Sequence, residues 1–117
     1  MDLKSLCEDV MESDPKIRFS MIVVDGEKKY GGYRYDTVEI LNSDELDRSI
    51  WYAYERMCGR HSQEHKLGKT KFALGVYENV KRATFPLNRH TLLLVSMEPN
   101  SDHDGIINKV LKLIEKA

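Results

Sequence analysis

The run Ile17-Arg18-Phe19-Ser20-Met21-Ile22-Val23-Val24, closed by Asp25-Gly26 and continued by Lys29-Tyr30-Gly31-Gly32, decides how this chain folds. Its apolar residues recur at every second position, the period of an extended strand. Ile17, Phe19, Met21 and Val23 fall on one side, while Ile22 and Val24 make the other side partly apolar. Asp25-Gly26 suits a type I′ turn, whose two central residues both need positive φ. Lys28 to Arg34 therefore returns as a second strand. The Gly31-Gly32 pair inside it predicts a bulge or a close backbone approach.

Working outward, Leu3, Leu6, Cys7, Val10 and Met11 hold one face of a helix with Asp2 as its cap. Asp14-Pro15 ends that helix, because proline pushes the preceding residue out of helical geometry. On the other side, Asn42-Ser43-Asp44-Glu45 signals a helix start with acidic groups in the first turn. Leu46, Ile50, Ala53, Tyr54, Met57 and His61 keep helical spacing, and an end is expected between Gly59 and Gly68.

Three strands follow, at about 70–77, 80–87 and 91–97, separated by Glu78-Asn79 and Asn88-Arg89-His90. Leu92-Leu93-Leu94-Val95 is apolar on both faces, so it should lie centrally with helices above and below. Pro99 closes the sheet. A last helix from Ser101 or Asp102 turns Ile106, Ile107, Val110, Leu111 and Ile114 inward. The expected fold class is α+β: a single five-stranded antiparallel sheet with helices on both faces, in the order α-β-β-α-β-β-β-α.

Composition limits what such a domain does. At 117 residues there is room for one core, and 41% hydrophobic with 32% charged residues suits a globule. Eighteen basic and nineteen acidic residues leave a net charge of -1, so no global field attracts nucleic acid or an anionic membrane. Neither is expected as a partner. The longest apolar runs, Met21 to Val24 and Leu92 to Val95, are far short of the ~20 residues of a membrane span. Met1-Asp2-Leu3-Lys4 reads as neither signal peptide nor myristoylation site, and Cys7 and Cys58 read as free thiols, so a cytoplasmic location is expected.

The first hairpin, the helix from Ser43 and the meander ending Leu92-Leu93-Leu94-Val95-Ser96-Met97-Glu98-Pro99 together resemble the roadblock / dynein light chain family, of the profilin-like and longin-like group. The likeness covers roughly residues 1–99, with 101–117 as an added helix. The chain is also similar to short archaeal proteins without assigned function, which share the Asp14 to Phe19 opening, the Gly-Gly hairpin and the Asp102 to Lys109 ending. The roadblock resemblance implies a non-enzymatic interaction module, and no cofactor is expected. It implies a homodimer formed by pairing the strand after the central helix and packing the two central helices. It further implies a scaffold or regulator whose partner is a Ras-like small GTPase or a signalling assembly. The polar stretch Ser62 to Lys69 departs from better-known members and bears on that pairing.

The residues add their own argument for an interface. At 100° per residue, apolar positions of the middle helix, from Ala53 to Trp51, span about 160°, wider than the about 100° stripe that one core face needs. Trp51, Tyr54 and Cys58, with Phe72, Leu74, Val76 and Tyr77 of the next strand, are therefore the candidate dimer or partner surface. Lys69, Lys71, Lys81 and Arg82 form a candidate basic patch, against the alternative that lysines near a sheet edge discourage unwanted pairing.

Other clusters have cheaper structural explanations. Cys58, His61 and His65 at i, i+3 and i+7 form a weak metal candidate, lacking a fourth ligand. Asp102-His103-Asp104 stands where a helix begins and reads as a cap. No Gly-rich loop with a lysine and a hydroxyl marks a nucleotide site. The rival reading is a small-molecule sensor with Tyr30, Tyr33, Trp51 and Tyr77 lining a pocket between sheet and helix.

Overall fold

The computed structural model describes residues 1–117. Helix α1 (Leu3–Ser13) is capped by Asp2, whose side chain accepts from the Ser5 N–H at 3.1 Å. Strands β1 (Ile17–Val24) and β2 (Glu27–Tyr33) form the first hairpin, and Asp25 and Gly26 take the positive φ values of 52° and 83°. Helix α2 (Ser43–His61) opens with a reciprocal capping box: Asn42 accepts from the Glu45 N–H, and Glu45 accepts from the Asn42 N–H. A single turn, α3 (Glu64–Leu67), is the one helix the sequence reading lacks. Strands β3 (Ala73–Val76), β4 (Lys81–Pro86) and β5 (Thr91–Met97) and helix α4 (His103–Lys116) complete the chain. No helix is long and apolar enough to cross a membrane.

The five strands form one antiparallel sheet in the order β2-β1-β5-β4-β3. β5 sits at its centre, and Leu92 to Val95 are buried on both faces. On one face α1 and α4 bring Leu6, Val10, Ile106 and Val110 against Ile22, Phe85, Leu93 and Val95. On the other α2 sets Ile50, Ala53 and Met57 on Phe19, Met21, Val23, Leu92 and Leu94. Helices thus cover both faces, as the doubly apolar β5 requires.

Two local details differ from the strand period. Ile17 packs with α1 and α4 while Phe19, Met21 and Val23 pack under α2. Ile17 pairs with Met97 and Phe19 with Ser96, so Arg18 is an extra residue that reverses the alternation. In β2 the irregularity falls at Lys29, and Gly31 answers a different need. Its φ is +89°, and a Cβ there would overlap the Ser20 carbonyl oxygen and the Cys7 sulfur. Cys7 is drawn close by donating to that same carbonyl at 3.0 Å, and its burial pushes the thiol pKa up. Side-chain-free backbone is what lets β2 close over α1 at this point.

Candidate interaction surfaces

β3 is the free edge of the sheet, and its sequence leaves it short. Only Ala73–Val76 join the ladder, the polar run before them staying outside it. The Tyr77 N–H donates to the Val80 carbonyl at 2.9 Å, closing the Glu78-Asn79 hairpin. Because a strand's N–H groups alternate in direction, those of Ala73 and Gly75 also face β4, and those of Leu74 and Val76 face outward. Phe72, Val76 and Tyr77 beside them are 40%, 62% and 56% exposed. Leu74 differs: its side chain packs against the core shared by α1 and α4. Phe72 also leans that way, its ring 6.2 Å from that of Phe85.

The apolar arc of α2 divides between two flanks. Trp51, Tyr54 and Cys58 lie toward the β1–β2 turn. The Trp51 ring is 5.6 Å from that of Tyr54, and a Cβ on Gly26 would meet it at 2.6 Å. A hydrogen bond with Cys58 is the main cause that raises the Tyr54 pKa. Trp51 remains 48% exposed. Ser49, Ala53, Arg56 and Arg60 occupy the flank toward β3 and β4. Arg82 donates to Ser49 Oγ there, and Ala53, Arg56 and Arg60 wall a groove over Ala73, Gly75 and Thr84. Trp51 and Arg56 are roughly 140° apart at 100° per residue. The structure therefore does not bring Trp51, Tyr54 and Cys58 together with Phe72 to Tyr77.

The candidate basic residues also separate. Lys81 and Arg82 are consecutive in β4 and leave the sheet on opposite faces. Lys81 Nζ donates to the Ser101 carbonyl at 2.7 Å and lies 3.0 Å from His103 Nδ1, beside α4. Arg82 lies under α2, while Lys69 and Lys71 precede β3. Arg82 instead joins Arg56 and Arg60, which the sequence reading missed. Their signal was an i, i+4 basic pair on one side of α2, visible only once that side is known to face β4.

Cys58, His61 and His65 do not converge, and no group of three His, Cys, Asp or Glu side chains is placed to hold a metal ion. α2 ends at His61, and His61 Nε2 lies 3.6 Å from Glu64 Oε1. The Asp102 side chain caps α4 by accepting from the Gly105 N–H at 3.1 Å.

Of the four aromatics considered as pocket lining, Tyr33 and Tyr77 meet at a half-open chamber of about 380 Å³ between the start of α2 and the β3–β4 turn. Tyr30 belongs to the α1/α4 side and Trp51 to the β1–β2 turn. Burial is the main cause that raises the Tyr33 phenol pKa. Glu39 adds to it, and Arg82 and Arg18 oppose it.

Residues 2–117 match the model of a family described as a family of unknown function (DUF6659). No curated protein matches the chain in sequence. Among solved structures, it is similar to a Roadblock/LC7 domain from Streptomyces avermitilis, with a TM-score of 0.72 at 15% identity over 99% of this chain and 94% of that one. It is similar to MglB from Myxococcus xanthus, with a TM-score of 0.71 at 8% identity over 97% and 88%. A structure of MglB with a tetrameric arrangement gives a TM-score of 0.67 at 10% identity over 96% and 87%. At these identities the likeness establishes a roadblock-type fold.

Proposed function

We propose that this chain, which belongs to the DUF6659 family of unknown function, is a non-enzymatic interaction module that works in the cytoplasm as a homodimeric scaffold or regulator. One observation carries the reading: β3 is a free edge with outward N–H groups at Leu74 and Val76, flanked by exposed Phe72, Val76 and Tyr77. An unpaired edge of this kind is a template for another strand. A second copy related by a twofold axis across β3 offers the same edge antiparallel, and it sets the two α2 helices side by side.

In this arrangement the flank of α2 carrying Trp51, Tyr54 and Cys58 faces away from the axis and is left for a different partner. Trp and Tyr are enriched at interface centres, where their rings bury large area at small entropic cost. The roadblock resemblance supports a Ras-like small GTPase as that partner. A neighbour of the same fold, MglB, has been solved in a tetrameric arrangement, which supports self-association as a use of this architecture.

Sedimentation of the purified chain from about 1 μM to 1 mM tests the dimer; a monomer throughout that range overturns it. The GTPase is tested by co-purification from the native extract and by loss of that binding in Trp51→Ala. A second reading, small-molecule binding, is favoured by the chamber beside Tyr33.

A further inference from the structure

We propose that the chamber between the start of α2 and the β3–β4 turn binds a small amphipathic anion, an apolar body carrying one carboxylate or phosphate. The inference develops the second reading above and does not depend on the dimer.

The chamber's volume of about 380 Å³ lies within the roughly 300–1,000 Å³ of small-molecule sites. Phe19 and Tyr33 form its floor, their rings 5.0 Å apart and nearly edge-on, and Leu41, Leu46 and Val80 supply apolar walls. Such a surface releases water to an apolar body.

Charge sets the other half of the ligand. Two guanidinium groups line the chamber, and they are not equivalent. Arg18 lies 3.3 Å from Glu98 and donates to the Val38 carbonyl at 2.7 Å, so its charge is already answered. Arg82 is half-buried, yet its hydrogen-bond partner is the neutral Ser49 hydroxyl and it forms no ion pair. Past Arg82 the chamber continues into the groove that holds Arg56 and Arg60, also without ion pairs, and no acidic side chain lines that stretch. Half-buried Arg82 and Arg60, with exposed Arg56 at the rim, raise the local positive potential of this crevice, although the chain as a whole carries -1. A bound anion would give Arg82 the charge-assisted, bidentate partner it lacks. Glu78 stands on the exposed turn at the rim, so an anion enters with its charged end inward, toward Arg82.

The test follows amide shifts by two-dimensional NMR during titration with 4-phenylbutyrate, phenyl phosphate and the uncharged 4-phenylbutyramide. The expected result is saturable binding of both anions, with shifts centred on Phe19, Tyr33, Leu46 and Val80. The amide should bind about tenfold more weakly, as one lost charge-assisted contact implies. Arg82→Gln should remove the anion preference and leave amide binding unchanged. Asn79→Trp, at the exposed turn, should plug the mouth and block both, which keeps the test valid if Arg82→Gln disturbs the fold. Equal affinity for anion and amide, or no saturation below about 10 mM, a ceiling corresponding to roughly the weakest ligands worth calling specific, overturns the proposal. So does stronger displacement of these amides by an oligoglutamate peptide than by either anion, which would make the groove a protein-docking surface.

Discussion

Replacing Val76 with proline separates the edge-pairing account from its rivals, because this residue's N–H has no role within its own sheet. A twofold pair centred on Gly75 sets Leu74 of each copy opposite Val76 of the other. The backbone N–H and C=O groups of both residues face the free edge, so these positions exchange about four backbone hydrogen bonds. Proline takes the Val76 donor from both copies and places its ring toward the incoming strand. Loss of about two bonds at roughly 0.5–1.5 kcal/mol each weakens the dimer by about 1–3 kcal/mol. That corresponds to about a 5- to 150-fold rise in the dissociation constant. The fold should survive, since the Val76 side chain is 62% exposed and β3 lies at the sheet's edge. Sedimentation velocity measures the constant, and a thermal melt confirms folding. A folded variant whose dimer constant stays within about twofold of the parent, below the smallest of these hydrogen-bond losses, refutes edge pairing through β3.

Two further outcomes follow from the same geometry. Trp51→Ala should cost about 1–2 kcal/mol of stability, because roughly half of a large ring packs over the Gly26 turn, while leaving the dimer constant unchanged. A fall in dimer affinity would place Trp51 at the axis after all. Gly31→Ala should cost about 3 kcal/mol or more, combining positive-φ strain with overlap on fixed backbone, and should lower the melting temperature by about 10–20 °C. Adding Cys7→Ala relieves only the sulfur overlap, so the double variant should stay destabilised; recovery to near the parent would show that the Ser20 carbonyl is not the obstacle.

Much of the fold was readable from local pattern. The Asp25-Gly26 turn, the Asn42/Glu45 box and the doubly apolar Leu92 to Val95 each announce their element through chemistry within a few residues. The misreadings have a common physical origin in long-range placement. Ile17 follows the strand period until Arg18 bulges against the Met97 and Ser96 step of β5, far along the chain and next to Glu98, Arg18's ion-pair partner 80 residues away in sequence. Likewise the breadth of the α2 arc was visible, but its division was not. Which flank faces β3 depends on where the helix rests across β1 and β5, and that follows from sheet order. The same placement gathers Arg82 with Arg56 and Arg60, and parts it from Lys81.

The account's central claim, a module that associates through the free β3 edge, is read most directly in the amide hydrogen exchange of Leu74 and Val76. These N–H groups lack an acceptor within the chain's own sheet, so a monomer must exchange them rapidly. The prediction is strong protection of both at high protein concentration, lost together on dilution below the dimer constant, while the Ala73 and Gly75 amides facing β4 stay protected throughout. Fast exchange of Leu74 and Val76 at every concentration, in a solution that sedimentation shows to be dimeric, would mean that the copies meet elsewhere and would contradict the account.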